Sequence, residues 1–232
     1  PISALRSIGV ERFIVVVAKK WVKDMNKLLK KMSIDYQLVT NNHVERENGF
    51  SFLLSKEYIT RNYFYLSMSD HIYTAKLLLV LKNRKYSRSD LVICGDREPL
   101  FINVAEATKI LSDKRENIIA IGKDIRPFTH IDTGVFLINK RIFNIAEALS
   151  SNQDKFTMSD IVNKAIKYHY YVRVATIYRG YWTEIDTIND LIAVKRGNRR
   201  IVLDATIRSI KYEEYMKEFV GRKIILGDET IT

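Results

Sequence analysis

The sequence has one cysteine, Cys94, in 232 residues. A disulfide framework within the chain is therefore excluded, and a cytosolic setting is expected. Cys94 ends the apolar run Leu91-Val92-Ile93-Cys94, where a small buried filler is expected rather than a nucleophile. Three prolines mark no linker, and no repeat or low-complexity stretch interrupts the chain. One continuous domain over residues 1–232 is the resulting expectation. No run approaches the roughly 20 apolar residues needed to cross a bilayer, and the start lacks the charged-then-apolar layout of a secretory signal. These absences predict a soluble, cytoplasmic chain. The four histidines, His43, His71, His130 and His169, show no metal-ligand spacing, which argues against a zinc site. No Ser/His/Asp or Cys/His grouping suggests a protein nucleophile.

What is present is material for a core, and positive charge. Hydrophobic residues make up 47%, with 13 Tyr and 10 Phe, so a sizeable core can be buried. The net charge is +11, from 38 Lys and Arg against 27 Asp and Glu. Such a balance favours acidic partners. The basic residues are scattered, with local concentrations at 82–85 and 195–200. They form no groove interleaved with aromatics, and no helix-turn-helix or zinc signature is found, so nucleic acid is not expected. A basic pocket for phosphates, or a basic face near a membrane, accounts better for the charge.

Periodicity predicts an α/β order. Residues 2–8 end a helix that Gly9 closes. A β-branched run over 10–17 predicts a strand buried on both faces. A helix follows over 21–32, with Trp21, Met25, Leu28, Leu29 and Met32 on one stripe, and then a strand over 36–40. Residues 41–49 read as irregular and 50–57 as helical. Strands are predicted at 63–68, 91–95, 118–121, 134–138 and 171–178. Helices are predicted at 74–82, 140–149, 159–168 and 187–196, the last with Thr187 as N-cap. Strand–helix alternation up to about residue 82 suggests βαβ units; the later part is more mixed. From about residue 201 the chain is a charged amphipathic stretch.

Four segments could carry chemistry. In Tyr65-Leu66-Ser67-Met68-Ser69-Asp70-His71 an apolar strand delivers Asp70 to the carboxyl edge of a sheet, where ligands of α/β proteins bind. A carboxylate there can hold Mg²⁺ together with substrate phosphates; alternatively, Asp70 caps a helix beginning near residue 72. In Trp182-Thr183-Glu184-Ile185-Asp186-Thr187, alternation sends Glu184 and Asp186 to one side. That pair could be the second half of a metal site, or two solvated acids beside a helix cap. Glu47-Asn48-Gly49-Phe50-Ser51 reads as a polar turn able to meet a nucleobase edge, or as an ordinary Asn-Gly turn. Ala107-Thr108-Lys109 and Gly122-Lys123 offer lysines that could hold phosphate as point charges, or simply be solvated.

Taken in order, these segments resemble the sugar-nucleotidyltransferase family, and within it the CTP:inositol-1-phosphate cytidylyltransferases. The similarity runs from about residue 3 to 195. It rests on Leu5-Arg6-Ser7-Ile8-Gly9 before a valine-rich strand, Asn48-Gly49-Phe50-Ser51, and Met68-Ser69-Asp70-His71. It continues through Val104-Ala105-Glu106-Ala107-Thr108-Lys109, Ile121-Gly122-Lys123, Asp132-Thr133-Gly134-Val135-Phe136, and Asp186-Thr187 with Asp190-Leu191. The resemblance implies a Rossmann-like fold, with a mixed, mostly parallel sheet flanked by helices. It implies Asp70 and Asp186 as catalytic acids binding Mg²⁺, and Asn48, Gly49, Ser51 and Ser69 beside the nucleotide. Thr108, Lys109, Lys123 and Asp132 would hold the acceptor.

The implied reaction joins CTP to inositol 1-phosphate, a step of phospholipid biosynthesis, through attack of the acceptor phosphate on the α-phosphorus. A phosphocholine or hexose 1-phosphate acceptor is the alternative within the class. A basic module that binds membrane or nucleic acid without catalysis is the alternative outside it. The resemblance also implies a link to a membrane phosphatidyltransferase, at the inner face of the cell membrane. The family pattern opens with a strand, a G-x-G-x-R loop and a Lys-Pro pair. None of these precedes residue 3, and the nine glycines fit a chain from which that stretch is missing.

Overall fold

The computed structural model describes residues 1–221, with side chains of the last helix described to residue 216. The first helix, α1 (Ile2–Ser7), stops where Gly9 takes a φ of +98° and its N–H bonds back to the Arg6 carbonyl. The β-branched run then forms β1 (Arg12–Ala18), followed by α2 (Val22–Lys31) and β2 (Asp35–Asn41). β1 and β2 pair in parallel as a two-stranded sheet of their own. Only Phe13 of β1 is fully buried, so the expectation of a strand covered on both faces is not met. Likewise only Leu29 of α2 is buried, and the expected stripe residues Trp21 and Leu28 are exposed.

The next elements are α3 (Glu47–Leu54), β3 (Tyr63–Ser67), β4 (His71–Tyr73) and α4 (Ala75–Leu81). After them come β5 (Leu91–Asp96), β6 (Lys109–Ser112), β7 (Ile118–Gly122) and β8 (His130–Asn139). The chain continues through α5 (Phe143–Ser150), α6 (Met158–Lys167), β9 (Val172–Ile177) and β10 (Trp182–Glu184). It closes with α7 (Ile188–Arg196) and α8 (Arg200–Gly221). Both α6 and α7 begin with a capping box, Thr157 with Asp160 and Thr187 with Asp190, each side chain satisfying a helix N–H that has no partner inside the helix.

The main sheet runs β7-β6-β8-β5-β9, with β3 also on β8. Alternate residues of β5 go to opposite faces: Leu91 and Ile93 join one core, Val92 and Cys94 the other. The first core is closed by α3, α5 and α6, with Phe52 stacked on Phe143 at 4.4 Å between ring centres. The second is closed by α1 and α4 through Leu5, Leu77, Leu78 and Leu81, together with Trp182. Each such fully buried aliphatic side chain contributes roughly 1.5–3 kcal/mol. The α/β class and the mixed sheet are as expected; the parallel share is not. Of the seven strand pairings among the described residues, only β1–β2 and β5–β9 are parallel.

Candidate functional site

The site grows from the point where β3 ends. β3 pairs with β8, and β4 leaves that sheet to pair with β10. The intervening turn leaves Asp70 exposed. Asp70 is therefore a turn residue between two strands. It caps no helix, since α4 starts at Ala75 behind Thr74.

β10 lies antiparallel to β4, with Glu184 opposite His71. One step further the Asp70 carbonyl accepts the Ile185 N–H at 2.9 Å. The segment carrying Glu184, Ile185 and Asp186 is thus laid directly against the Asp70 turn, and Asp186 follows it exposed to solvent.

His71 links the acids. Its Nδ1 donates to Asp70 Oδ1 at 2.6 Å, and its Nε2 is 3.9 Å from Glu184 Oε2. Burial by itself lowers the affinity of the imidazole for a proton. The Asp70 hydrogen bond and the charges of Asp70, Asp132 and Glu184 outweigh it, so the pKa is raised. The reciprocal effect holds the Asp70 carboxyl below its usual range, with the His71 hydrogen bond as the main cause. Glu184 is shifted upward, first by burial and then by repulsion from Asp186 and Asp70 against the pull of His71 and Arg199. On β8, burial pushes Asp132 up to about 6, opposed by the Gly134 N–H that its Oδ1 accepts at 2.8 Å and by His71. Three carboxylates, Asp70, Asp132 and Glu184, therefore share the neighbourhood of one imidazole, and Asp186 acts on the third of them.

Such a surplus of carboxylate oxygens suits a hard divalent cation. Mg²⁺ is typically held by one or two protein carboxylates, the remaining ligands being water and phosphate. Among the described residues no group of three or more His, Cys, Asp or Glu side chains is arranged to hold a metal ion by itself. Asp70 and Asp186 are both exposed at this rim, on segments joined by the bond from the Ile185 N–H to the Asp70 carbonyl.

Other residues singled out in the sequence land elsewhere. The segment at residues 47–51 is the first turns of α3, not a polar turn. The Asn48 side chain accepts the Met158 N–H at 2.8 Å at the start of α6. Gly49 is buried against Phe156, whose carbonyl accepts its N–H at 3.1 Å and leaves no room for a Cβ. Both residues thus serve the packing of α3 on the Phe156–Met158 segment, a role that the sequence did not signal. The Ser51 hydroxyl accepts from Asn41 at 3.0 Å, and Ser69 is exposed beside Asp70.

Lys109 is the clearest correction. It is 2% exposed, and its ammonium donates to the carbonyls of Ala105, Ala107 and Lys123 at 2.7–2.9 Å. All three donors are engaged, and the lysine ties loops together rather than presenting charge to a phosphate. The Lys123 side chain is exposed, and the Thr108 carbonyl accepts the Asp132 N–H at 2.9 Å.

Asp96 escaped notice in the sequence. Fully buried at the end of β5, it accepts the N–H groups of Glu98, Arg179 and Gly180 and the indole Nε1 of Trp182, at 2.9–3.1 Å. The run Leu91-Val92-Ile93-Cys94-Gly95-Asp96, an apolar strand ending in Asp like the one before Asp70, was the available signal.

No family model matches the chain. Three relatives named bifunctional IPC transferase and DIPP synthase do, among them the following two. The one from Archaeoglobus fulgidus is 34% identical over 221 residues, covering 95% of this chain and 41% of the relative. The one from Aquifex aeolicus is 32% identical over 195 residues, covering 84% and 42%. Among solved structures, the inositol-1-phosphate CTP transferase from T. maritima superposes with a TM-score of 0.80 at 26% identity, over 91% of this chain and 81% of that one. The chain is thus similar in sequence to these IPC transferases and shares the fold of the inositol-1-phosphate CTP transferase. It spans less than half the length of the curated relatives it matches. Among its described residues no helix is long and apolar enough to cross a membrane.

Proposed function

We propose that this domain transfers a cytidylyl group from CTP to inositol 1-phosphate and releases pyrophosphate. The observation that carries the reading is the β4–β10 pairing, which sets the Asp70 turn against the Glu184–Asp186 segment at one rim. The named activities of the relatives and of the similar solved structure support the choice of nucleotide and acceptor.

In the proposed reaction an oxygen of the acceptor phosphate attacks the α-phosphorus of CTP. The bond from that phosphorus to the oxygen shared with the β-phosphate breaks, and pyrophosphate leaves with the bonding electrons. No protein nucleophile is needed, because such transfers depend mainly on positioning and charge neutralisation. A divalent cation, magnesium in this reading, supplies that neutralisation across the phosphates when bound. Asp70 and Asp186 hold it. Ser51 and Ser69 lie on the nucleotide side, while Thr108, Lys123 and Asp132 receive the acceptor.

The two activities in the relatives' names support a further part of the proposal. The domain works beside a membrane phosphatidyltransferase, and a net charge of +11 suits the anionic inner face of the cell membrane.

The test is pyrophosphate release across a panel of nucleoside triphosphates and phosphorylated alcohols. CTP with inositol 1-phosphate is expected to give the highest kcat/KM. Turnover only with phosphocholine or with a hexose 1-phosphate would overturn the acceptor assignment. Salt-sensitive binding to acidic vesicles, with no turnover of any pair, would favour a non-catalytic module.

A further inference from the structure

We propose that His71 is a positioning residue: it fixes the carboxylate of Asp70 in the orientation that receives the cation, and is itself held by its packing against Gly134 and Trp182. The inference rests on the reading of Asp70 as a metal-side acid.

Asp70 needs such a device. Its side chain is 47% exposed and sits on a turn, so nothing in its own packing selects one rotamer. The 2.6 Å bond from His71 Nδ1 is the strongest hold on it, and the main cause of its lowered pKa. A hydrogen bond orients its acceptor only as well as its donor is held, and the His71 ring is packed against two neighbours. It lies parallel to the Trp182 indole, with 6.0 Å between ring centres and 2° between planes. The two residues are diagonal neighbours on paired strands, since Trp182 is opposite Tyr73 and Glu184 opposite His71. Gly134 also stands close against the ring, where a Cβ would come within 2.7 Å of it.

This packing has a fixed base. Trp182 is 1% exposed, and its indole N–H donates to Asp96, which is anchored by three further N–H groups. A continuous path thus runs from the buried end of β5 through Trp182 and His71 to the half-exposed carboxylate at the rim. The second nitrogen of His71 faces Glu184 at 3.9 Å, an ion-pair distance rather than a hydrogen bond. A histidine serving only to fill the core would need neither paired acid nor a glycine close against it. Metal sites commonly depend on such outer partners, whose loss costs about tenfold to a hundredfold in metal affinity or activity.

Two substitutions separate positioning from packing. His71→Phe keeps the ring and its stacking but removes the donor; His71→Asn restores an N–H near the Nδ1 position without the ring. Two readouts are needed: Mn²⁺ binding followed by electron paramagnetic resonance with a non-hydrolysable CTP analogue, and the Mg²⁺ concentration for half-maximal pyrophosphate release. For His71→Phe both are expected to weaken by about tenfold to a hundredfold, with the acceptor KM within a factor of about three and the circular dichroism unchanged. His71→Asn is expected to recover most of the loss. Wild-type Mn²⁺ affinity in His71→Phe would overturn the proposal, as would equal losses in the two variants. If the wild type binds Mn²⁺ but turns over no substrate pair, the proposed reaction fails while the Mn²⁺ comparison still tests His71.

Discussion

Gly134 stands so close to His71 that a methyl group at its Cα would lie 2.7 Å from the imidazole, and its φ of +70° is one that side chains resist. Gly134→Ala is therefore expected to combine backbone strain of about 1–2 kcal/mol with displacement of His71, lowering both the urea midpoint and turnover. Gly9 is the control. It also has a positive φ, +98°, but nothing lies within 4 Å of an added Cβ. Gly9→Ala is expected to cost stability alone. Loss of activity at Gly9, or none at Gly134, would contradict the positioning role of His71.

The two lysines offered by the sequence should behave in opposite ways. Lys109→Met leaves three carbonyls without their donor, so it is expected to cost on the order of 3 kcal/mol in chemical denaturation. Lys123→Ala removes an exposed charge. It is expected to leave stability within about 0.5 kcal/mol while raising the KM for the acceptor several-fold.

Stability should fall with acid through His130. This imidazole is 1% exposed and bonded to Thr129 and Thr176. Burial, then the charge of Arg97, lowers its pKa to about 4. The neutral ring is the form the fold accepts. Its stabilisation is fully present above the unfolded value of about 6.5 and is lost as pH falls toward 4, by on the order of 3 kcal/mol. Asp132 acts in the opposite sense, being raised to about 6, so its own contribution is present below about 4 and lost as pH rises through 6. Denaturation of His130→Gln and wild type between pH 4 and 7 is expected to show a shallower acid loss in the variant. Parallel curves would refute the assignment.

Cys94 gives a test of the core. It is fully buried between two strands of the main sheet, and burial pushes its thiol up to about 12. Reaction with a disulfide reagent at pH 8 is expected to be absent in the native protein and complete in urea. Rapid native labelling would mean that β5 is not central.

The regular elements were legible because their signals are local. Thr187 with Asp190 announces α7, and the β-branched run announces β1. The three-residue strands β4 and β10 were not legible, since they are too short to show periodicity and exist only as partners of each other. That pairing assembles the site. Sequence could offer Asp70 and Asp186 as separate acids, but their neighbourhood, and the imidazole between Asp70 and Glu184, depend on long-range contacts. Lys109 misled for the same reason: its carbonyl partners come from two loops, and a buried lysine reads like an exposed one in sequence. The turn at residues 47–51 misled through propensity, because Asn and Gly signal a break but here take packing roles at the start of α3.

A double-variant cycle on Asp70 and Asp186 tests the central claim most directly. Pyrophosphate release from CTP and inositol 1-phosphate would be compared in wild type, Asp70→Asn, Asp186→Asn and the double variant, at saturating Mg²⁺. If the two acids serve one cation, each single variant loses about a hundredfold or more in kcat, and the double variant is scarcely worse than the poorer single one. Losses that multiply in the double variant, or near-normal turnover in either single one, would show that the two acids do not act as a unit.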